Sequence, residues 1–187
     1  LGFAGGNNLG IKQALAWETD FVLVLNPDTI VDKSLIKKFL EKVEVYPKIG
    51  IIGPKIYFAP GYEFYKDRYD QKEQGKVIWW AGGRIDWDNV MTEHTGVDKV
   101  DKGQYNSGDE TETIPGTAMF IRREVFAKVG DFDEKYFLYF EESDFCRRAK
   151  AAGFKLWYEP KAIVWHKNAQ SSGVGSGLQD YYITRNR

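Results

Sequence analysis

The chain has 187 residues, 43% hydrophobic and 16% aromatic, enough apolar material for one substantial core at roughly 150 residues per domain. Its 26 basic and 27 acidic residues give a net charge of −1, which excludes a basic nucleic-acid-binding arm and a charged disordered tail. The apolar run Phe21–Leu25 has five residues, far short of the roughly 20 that span a bilayer, and the single Cys146 allows neither an internal disulfide nor a zinc cluster. These features predict a globular protein of a reducing compartment.

Leu1 to Gly10 reads as a glycine-rich loop, with Asn7 or Asn8 capping a helix to about Trp17. Phe21–Leu25 is a short buried strand ending at Asn26-Pro27-Asp28. Asp32 or Ser34 caps the next helix, whose Leu35, Ile36, Phe39, Leu40 and Val43 recur at helical spacing until Pro47. Ile49–Ile56 is a strand broken at Gly53-Pro54. From Pro60 to Glu112 the pattern loosens, with short strands at Val77–Ala81 and Arg84–Trp87 and a solvated loop over Gly103–Glu112. Order returns with a strand over Gly116–Ile121, a helix over Arg122–Val129 stopped by Gly130, and a helix from about Glu142 to Ala152. Strands at Lys155–Glu159 and Ala162–Trp165, a Ser/Gly-rich loop over Gln170–Gly177 and a helix from Leu178 complete the pattern. Strands alternating with helices predict an α/β sandwich with a mixed sheet. The chain opens without methionine and stops inside an aromatic, helix-like segment, so the expectation is a fragment of a longer protein.

Four constellations carry chemistry. The first, Leu1-Gly2-Phe3-Ala4-Gly5-Gly6-Asn7-Asn8, sets glycines before a helix, where backbone N–H groups could face an anion. It matches neither common phosphate fingerprint, and on spacing alone a tight turn with a cap is the favoured reading. In the second, Asn26-Pro27-Asp28 at a strand end offers hard oxygen ligands for Mg²⁺ or Mn²⁺, against the competing reading of an Asx turn. The third is Glu141-Glu142-Ser143-Asp144, directly after the aromatic run Tyr136–Phe140; crowded carboxylates raise one another's pKa, as a general base requires. Carboxylates also favour a helix N-terminus for its dipole alone. Last, His166 follows a strand, where it could ligate a metal or phosphate. The other histidine, His94, has no evident partner and receives no role. Trp79, Trp80 and Trp87 suit core packing, with stacking on sugar rings as a second use.

The serial order of these pieces, with Pro115-Gly116-Thr117-Ala118-Met119-Phe120-Ile121-Arg122 between the second and third, resembles the family 2 glycosyltransferases, in particular their rhamnosyltransferase-like members. The likeness covers most of the chain, least over Pro60–Glu112. It implies a GT-A-like α/β/α sandwich with a mostly parallel mixed sheet. It also implies a single catalytic domain over residues 1–187 that lacks its first strand-helix units, the N-terminal nucleotide-binding part and a C-terminal continuation. The implied activity is inverting transfer of a sugar from a nucleotide-diphosphate-sugar donor to a hydroxyl of a saccharide or lipid-linked acceptor, in cell-surface polysaccharide biosynthesis.

By the same resemblance, Gly5, Gly6, Asn7, Asn26 and Asp28 bind the donor, and Asp28 with His166 holds Mg²⁺ or Mn²⁺. Asn26 replaces the first acid of the family's Asp-x-Asp motif. Glu142 takes the place of the catalytic base, with Asp144 behind it, and Gly116, Thr117 and Glu141 line the acceptor pocket. No nucleic acid is expected as a partner. The implied location is the cytoplasm, peripheral on the inner face of the plasma membrane, through an amphipathic basic helix beyond Tyr181, Tyr182, Arg185 and Arg187. The rival readings are an inactive carbohydrate-binding relative, favoured by Asn26 and Glu142, and a sugar nucleotidyltransferase.

Overall fold

A computed structural model describes residues 1–168 and 176–187. Among the described residues the α-helices are α1 (Gly2–Ala16), α2 (Leu35–Val45), α3 (Arg123–Val129), α4 (Glu141–Ala151) and α5 (Gly177–Asn186). The strands are β1 (Phe21–Leu25), β2 (Thr29–Val31), β3 (Ile49–Phe58), β4 (Ile78–Trp80), β5 (Gly83–Asp86), β6 (Met91–His94), β7 (Asp109–Glu110), β8 (Ala118–Arg122) and β9 (Lys155–His166). The expected Ser/Gly-rich loop over Gln170–Gly177 lies outside the described residues up to position 175. Among the described residues no helix is long and apolar enough to cross a membrane.

The central sheet runs β1-β8-β3-β9-β2, with β4 added to β3 and β7 to β9. It is mixed, as expected. β3 and β9 pair in parallel, while β8 pairs antiparallel with both β1 and β3, so β1, β3 and β9 all point the same way. Their carboxyl ends therefore share one edge, and β8 begins there, with Ala118 opposite Leu25. The edge that collects strand ends is where open α/β sheets bind ligands. The core is built by Ile51, Ile52, Ile56, Met119, Ile121, Leu156 and Val164 from these strands, all buried. Phe39 of α2 stacks on Phe120 of β8 at 5.2 Å, and Phe145 of α4 meets Phe126 of α3 at 5.5 Å.

Several expectations are corrected. Leu1–Gly10 is helix, not loop: α1 begins at Gly2 despite Gly5, Gly6 and Gly10, each about 1 kcal/mol worse than alanine in a helix. Tertiary contacts override that propensity. Phe3 packs edge-on against Phe132 and fills the space a side chain would need at Gly116, where a Cβ would lie 2.6 Å from the Phe3 ring. The Asn8 side chain donates to Phe132 O and accepts from Phe132 N, at 2.9 and 3.1 Å.

Ile49–Phe58 is unbroken at Pro54, and Lys155–His166 is one strand rather than two. The register slips between Pro54↔Glu159 and Lys55↔Ile163, so β9 absorbs the irregularity as a bulge opposite the proline. Strands β2, β6 and β7 were not expected. Each is four residues or fewer, too short to show a period.

The irregular middle of the chain is pinned to the sheet by a buried ion pair. Lys55 Nζ lies 2.6 Å from both Asp101 Oδ2 and Asn106 Oδ1, and Tyr57 Oη donates to the same Asp101 oxygen at 2.6 Å. Both charges are nearly inaccessible, at 2% and 7% exposure. Removing one leaves the other buried and unpaired, so Lys55→Met is expected to cost about 3–5 kcal/mol in urea unfolding. Lys55→Met combined with Asp101→Leu should recover much of that loss.

Candidate active site

The loop after β1 is held at the shared strand edge. Asn26 N donates to Thr117 O at 3.0 Å, and Thr29 Oγ1 returns a hydrogen bond to Asn26 O at 2.7 Å. The chain then enters β2 at once, pairing Thr29 with His166. Lys167 N donates to Asp28 O at 2.9 Å. These restraints bring Asp28 Oδ1 to 3.3 Å from His166 Nε2, with both side chains largely out of solvent. The pair is not aligned as a hydrogen bond. Asp28 Oδ1 and both ring nitrogens of His166 are buried without a hydrogen-bond partner among the described residues. Burial pushes the His166 imidazole below its usual pKa against the pull of the Asp28 carboxylate, so the ring is neutral and its lone pair is available.

Two lone-pair donors orphaned face to face fit a divalent cation. Neighbouring ligands on an octahedral Mg²⁺, each at 2.0–2.1 Å, stand about 3 Å apart. Among the described residues no group of three or more His, Cys, Asp or Glu converges for a metal. That donor count suits Mg²⁺ or Mn²⁺, which characteristically take one or two protein ligands and complete their shell with substrate phosphates and water.

The His166 ring is walled by Trp79, named above for core packing or sugar stacking but not for this place. Trp79 lies edge-on to it at 4.7 Å, and on to His94 at 4.6 Å. Trp79 Nε1 donates to Asn168 Oδ1 at 3.2 Å, and His94 Nδ1 sits 3.2 Å from Trp79 O. Burial holds His94 neutral, its pKa lowered to about 4. His94 thus has a structural place that its sequence surroundings did not reveal. Trp80 is core, fully buried, and Trp87 is an exposed ring under the Arg147 guanidinium. A cleft of about 540 Å³, lined by Ile30, Tyr57, Pro60 and Trp165 among others, does not include Asp28 or His166. Trp165 and His166 are successive strand residues and point to opposite faces.

The glycine-rich segment differs from the anion cradle suggested by its sequence. The N–H groups of Phe3 and Ala4 already donate to Phe137 O at 2.7 and 3.3 Å, and Gly5 N donates to Leu1 O. Gly5 and Gly6 lie within the helix, where Gly6 has nothing within 4 Å of a Cβ position and so leaves open surface. Asn7 bonds back to Phe3 O at 2.9 Å.

Gly116, Thr117 and Glu141, expected to line the acceptor pocket, are buried. Nearby, Cys146 Sγ of α4 lies against Ile114 O at 3.8 Å. Burial raises the Cys146 thiol to about 12, so it is inert packing.

The acid pair opens α4. Glu141 is 3% exposed, and one oxygen of each glutamate, Oε2, is buried without a hydrogen-bond partner among the described residues. Burial, then repulsion from Glu142, raises Glu141 to about 9, and burial also raises Glu142. Two carboxyls buried side by side resist ionising together, so the pair retains a proton where free glutamates would have lost theirs. Asp144 stands apart. Its Oδ2 pairs with Arg148 Nε at 2.7 Å, and the same guanidinium caps Val129 O and Asp131 O at the end of α3.

A protonated buried glutamate has a stability signature. An ordinary glutamate ionises near 4.5, whereas folded Glu141 keeps its proton to about 9. Its contribution is therefore full below the lower value and is lost as pH rises through the window between them. Glu141→Gln is expected to stabilise the protein at pH 8 relative to pH 5 by about 1–3 kcal/mol, read by urea unfolding at both.

Comparison with known proteins identifies the family. The model for glycosyltransferase-like family 2 matches residues 2–187. N-acetylglucosaminyl-diphospho-decaprenol L-rhamnosyltransferase of Mycobacterium tuberculosis is 29% identical over 162 residues, covering 84% of this chain and 50% of that protein. Low-salt glycan biosynthesis hexosyltransferase Agl10 of Haloferax volcanii is 27% identical over 188 residues, covering 100% of this chain and 55% of that protein. Rhamnosyltransferase WbbL of Escherichia coli K12 is 25% identical and covers 88% and 60%. The chain thus spans about half to three-fifths of the length of these relatives. The crystal structure of GalNAc-T7 with UDP, GalNAc and Mn²⁺ overlays on 88% of this chain and 30% of its own, with a TM-score of 0.62 at 16% identity, which shows a shared GT-A fold. The chain belongs to glycosyltransferase-like family 2.

Proposed function

We propose that this domain catalyses inverting transfer of a sugar, rhamnose or another hexose, from a nucleotide-diphosphate donor to a hydroxyl of a saccharide or lipid-linked acceptor. The observation that carries the reading is the Asp28–His166 pair, 3.3 Å apart, buried and without hydrogen-bond partners at the carboxyl edge of the sheet. It is supported by the relatives, among them an N-acetylglucosaminyl-diphospho-decaprenol L-rhamnosyltransferase. Asp28 Oδ1 and His166 Nε2 would hold Mg²⁺ or Mn²⁺. That ion, when bound, neutralises charge developing on the leaving diphosphate.

The remaining work falls to the chain's own groups. Asn26 and Asp28 mark the donor side of the edge. Glu142 acts as general base, taking the acceptor's hydroxyl proton as its oxygen attacks the anomeric carbon from the face opposite the diphosphate. Inversion proceeds in one displacement, so a single base suffices. Burial raises Glu142, and a carboxylate of raised pKa is the stronger proton acceptor. The site of action is the cytoplasmic face of the membrane, where a lipid-linked acceptor is reached peripherally.

Turnover with a nucleotide-sugar donor tests the assignment. Glu142→Gln should cut it by roughly a hundred- to ten-thousandfold while donor binding stays within a few-fold. Asp28→Asn should remove most activity, whereas Asn26→Asp should be tolerated. Asp144→Asn should act mainly on stability, through the lost Arg148 contact. Full activity in excess chelator, or in Glu142→Gln, contradicts the reading.

A further inference from the structure

The residues just before the acid pair adopt a shape that their own chemistry disfavours. Phe137, Tyr139 and Phe140 have φ of 64°, 65° and 73°, the left-handed region in which a bulky side chain crowds its backbone. Three such residues within four positions persist only where the surroundings over-determine them. Two helices do this. From one side, α1 donates the N–H groups of Phe3 and Ala4 to Phe137 O. From the other, α5 presents Asn186, whose Nδ2 lies 2.8 Å from each of Tyr136 O, Leu138 O and Tyr139 O.

An amide nitrogen carries two protons, so two donors are shared among three carbonyls that the left-handed turns have gathered on one side. Tyr182 stacks on Phe137 at 5.0 Å, and Arg185 donates to Lys135 O at 2.6 Å, fixing the same helix on the same loop. The loop ends at Phe140, the N-cap of α4, and Glu141 and Glu142 follow at once. Its backbone angles therefore set the direction in which the first turn of α4 presents both carboxyls.

We propose that Asn186 is a positioning residue for the acid pair. By gathering the carbonyls of Tyr136, Leu138 and Tyr139, it holds the left-handed loop that aims Glu142. Its effect on turnover rests on the reading of Glu142 as the base; its effect on the loop does not. The requirement is for an N–H donor of this reach. Alanine has none, and aspartate has the shape but offers only acceptors to three carbonyl oxygens. No residue of α5 belongs to the buried core, so the sheet should survive either change.

The test uses Asn186→Ala and Asn186→Asp in the full chain. Amide hydrogen exchange over residues 136–142 should be about tenfold faster or more in both variants, with the rates in β3 and β9 unchanged. In turnover, kcat should fall about tenfold or more in each, with the donor KM within about threefold. Glu142→Gln combined with Asn186→Ala should be no slower than Glu142→Gln alone, because a residue that acts through the base has nothing left to position. Unchanged exchange over 136–142 overturns the proposal, and so does a double variant slowed by the product of the two single effects. If Glu142→Gln alone keeps normal turnover, the base assignment falls, and the exchange measurement decides the role of Asn186 by itself.

Discussion

Pairing of Thr29 with His166 is the constraint on which the site depends. The strand β2 is three residues long, and by itself three residues of antiparallel pairing are worth little. Its consequence is positional. β1 and β9 run in the same direction, so their carboxyl ends already lie on one edge of the sheet. The chain leaving β1 has room for Asn26, Pro27 and Asp28 before it pairs with the end of β9, and this brings a carboxylate against an imidazole. Proline suits the turn because it fixes its own backbone and asks for no donor partner. A longer connection would let Asp28 swing to solvent, where water would satisfy it. The short one leaves its oxygen and both His166 nitrogens buried and waiting.

The second half of the site is arranged by opposite means. Asp28 and His166 are fixed by regular strand pairing, whereas Glu141 and Glu142 follow a loop forced into the left-handed region at three residues. Strain there is balanced by hydrogen bonds from α1 and α5. The acid pair is also electrostatically unfavourable, since two carboxyls are buried together. Both costs fall where a proton acceptor of raised pKa would be useful, and neither has a counterpart in the Lys55–Asp101 pair, where charge is matched. The two halves are joined through Ile114–Thr117. Thr117 O holds Asn26, Gly116 admits Phe3, and Ile114 O meets Cys146 on the helix that starts with the acids.

Much of this was legible in the sequence, and the reasons differ by element. Phe21–Leu25 and the helical spacing from Leu35 to Val43 stand where read, because burial of apolar side chains dominates both. The serial order of Asn26-Pro27-Asp28, Glu141-Glu142 and His166 marked the candidate residues before any coordinates. Roles that arise from long-range contact were missed. Trp79 and His94 are separated from His166 by more than 70 positions, and no local pattern shows that three rings will meet. Asn186 looks like an ordinary polar residue at the end of a helix until its three carbonyl partners are seen. The glycine-rich opening misled because local propensity argues for a loop, while Phe3 against Gly116 and Asn8 against Phe132 decide for a helix.

The central claim is that Asp28 and His166 are the protein's ligands for a divalent ion at the donor site. The most direct measurement is anomalous diffraction near the manganese edge, on crystals of the full chain soaked with Mn²⁺ and a nucleoside diphosphate. The account predicts one strong peak within bonding distance of both Asp28 Oδ1 and His166 Nε2, with diphosphate oxygens completing the shell. A peak bound elsewhere on the chain, with Asp28 and His166 still facing each other at 3.3 Å, would contradict it.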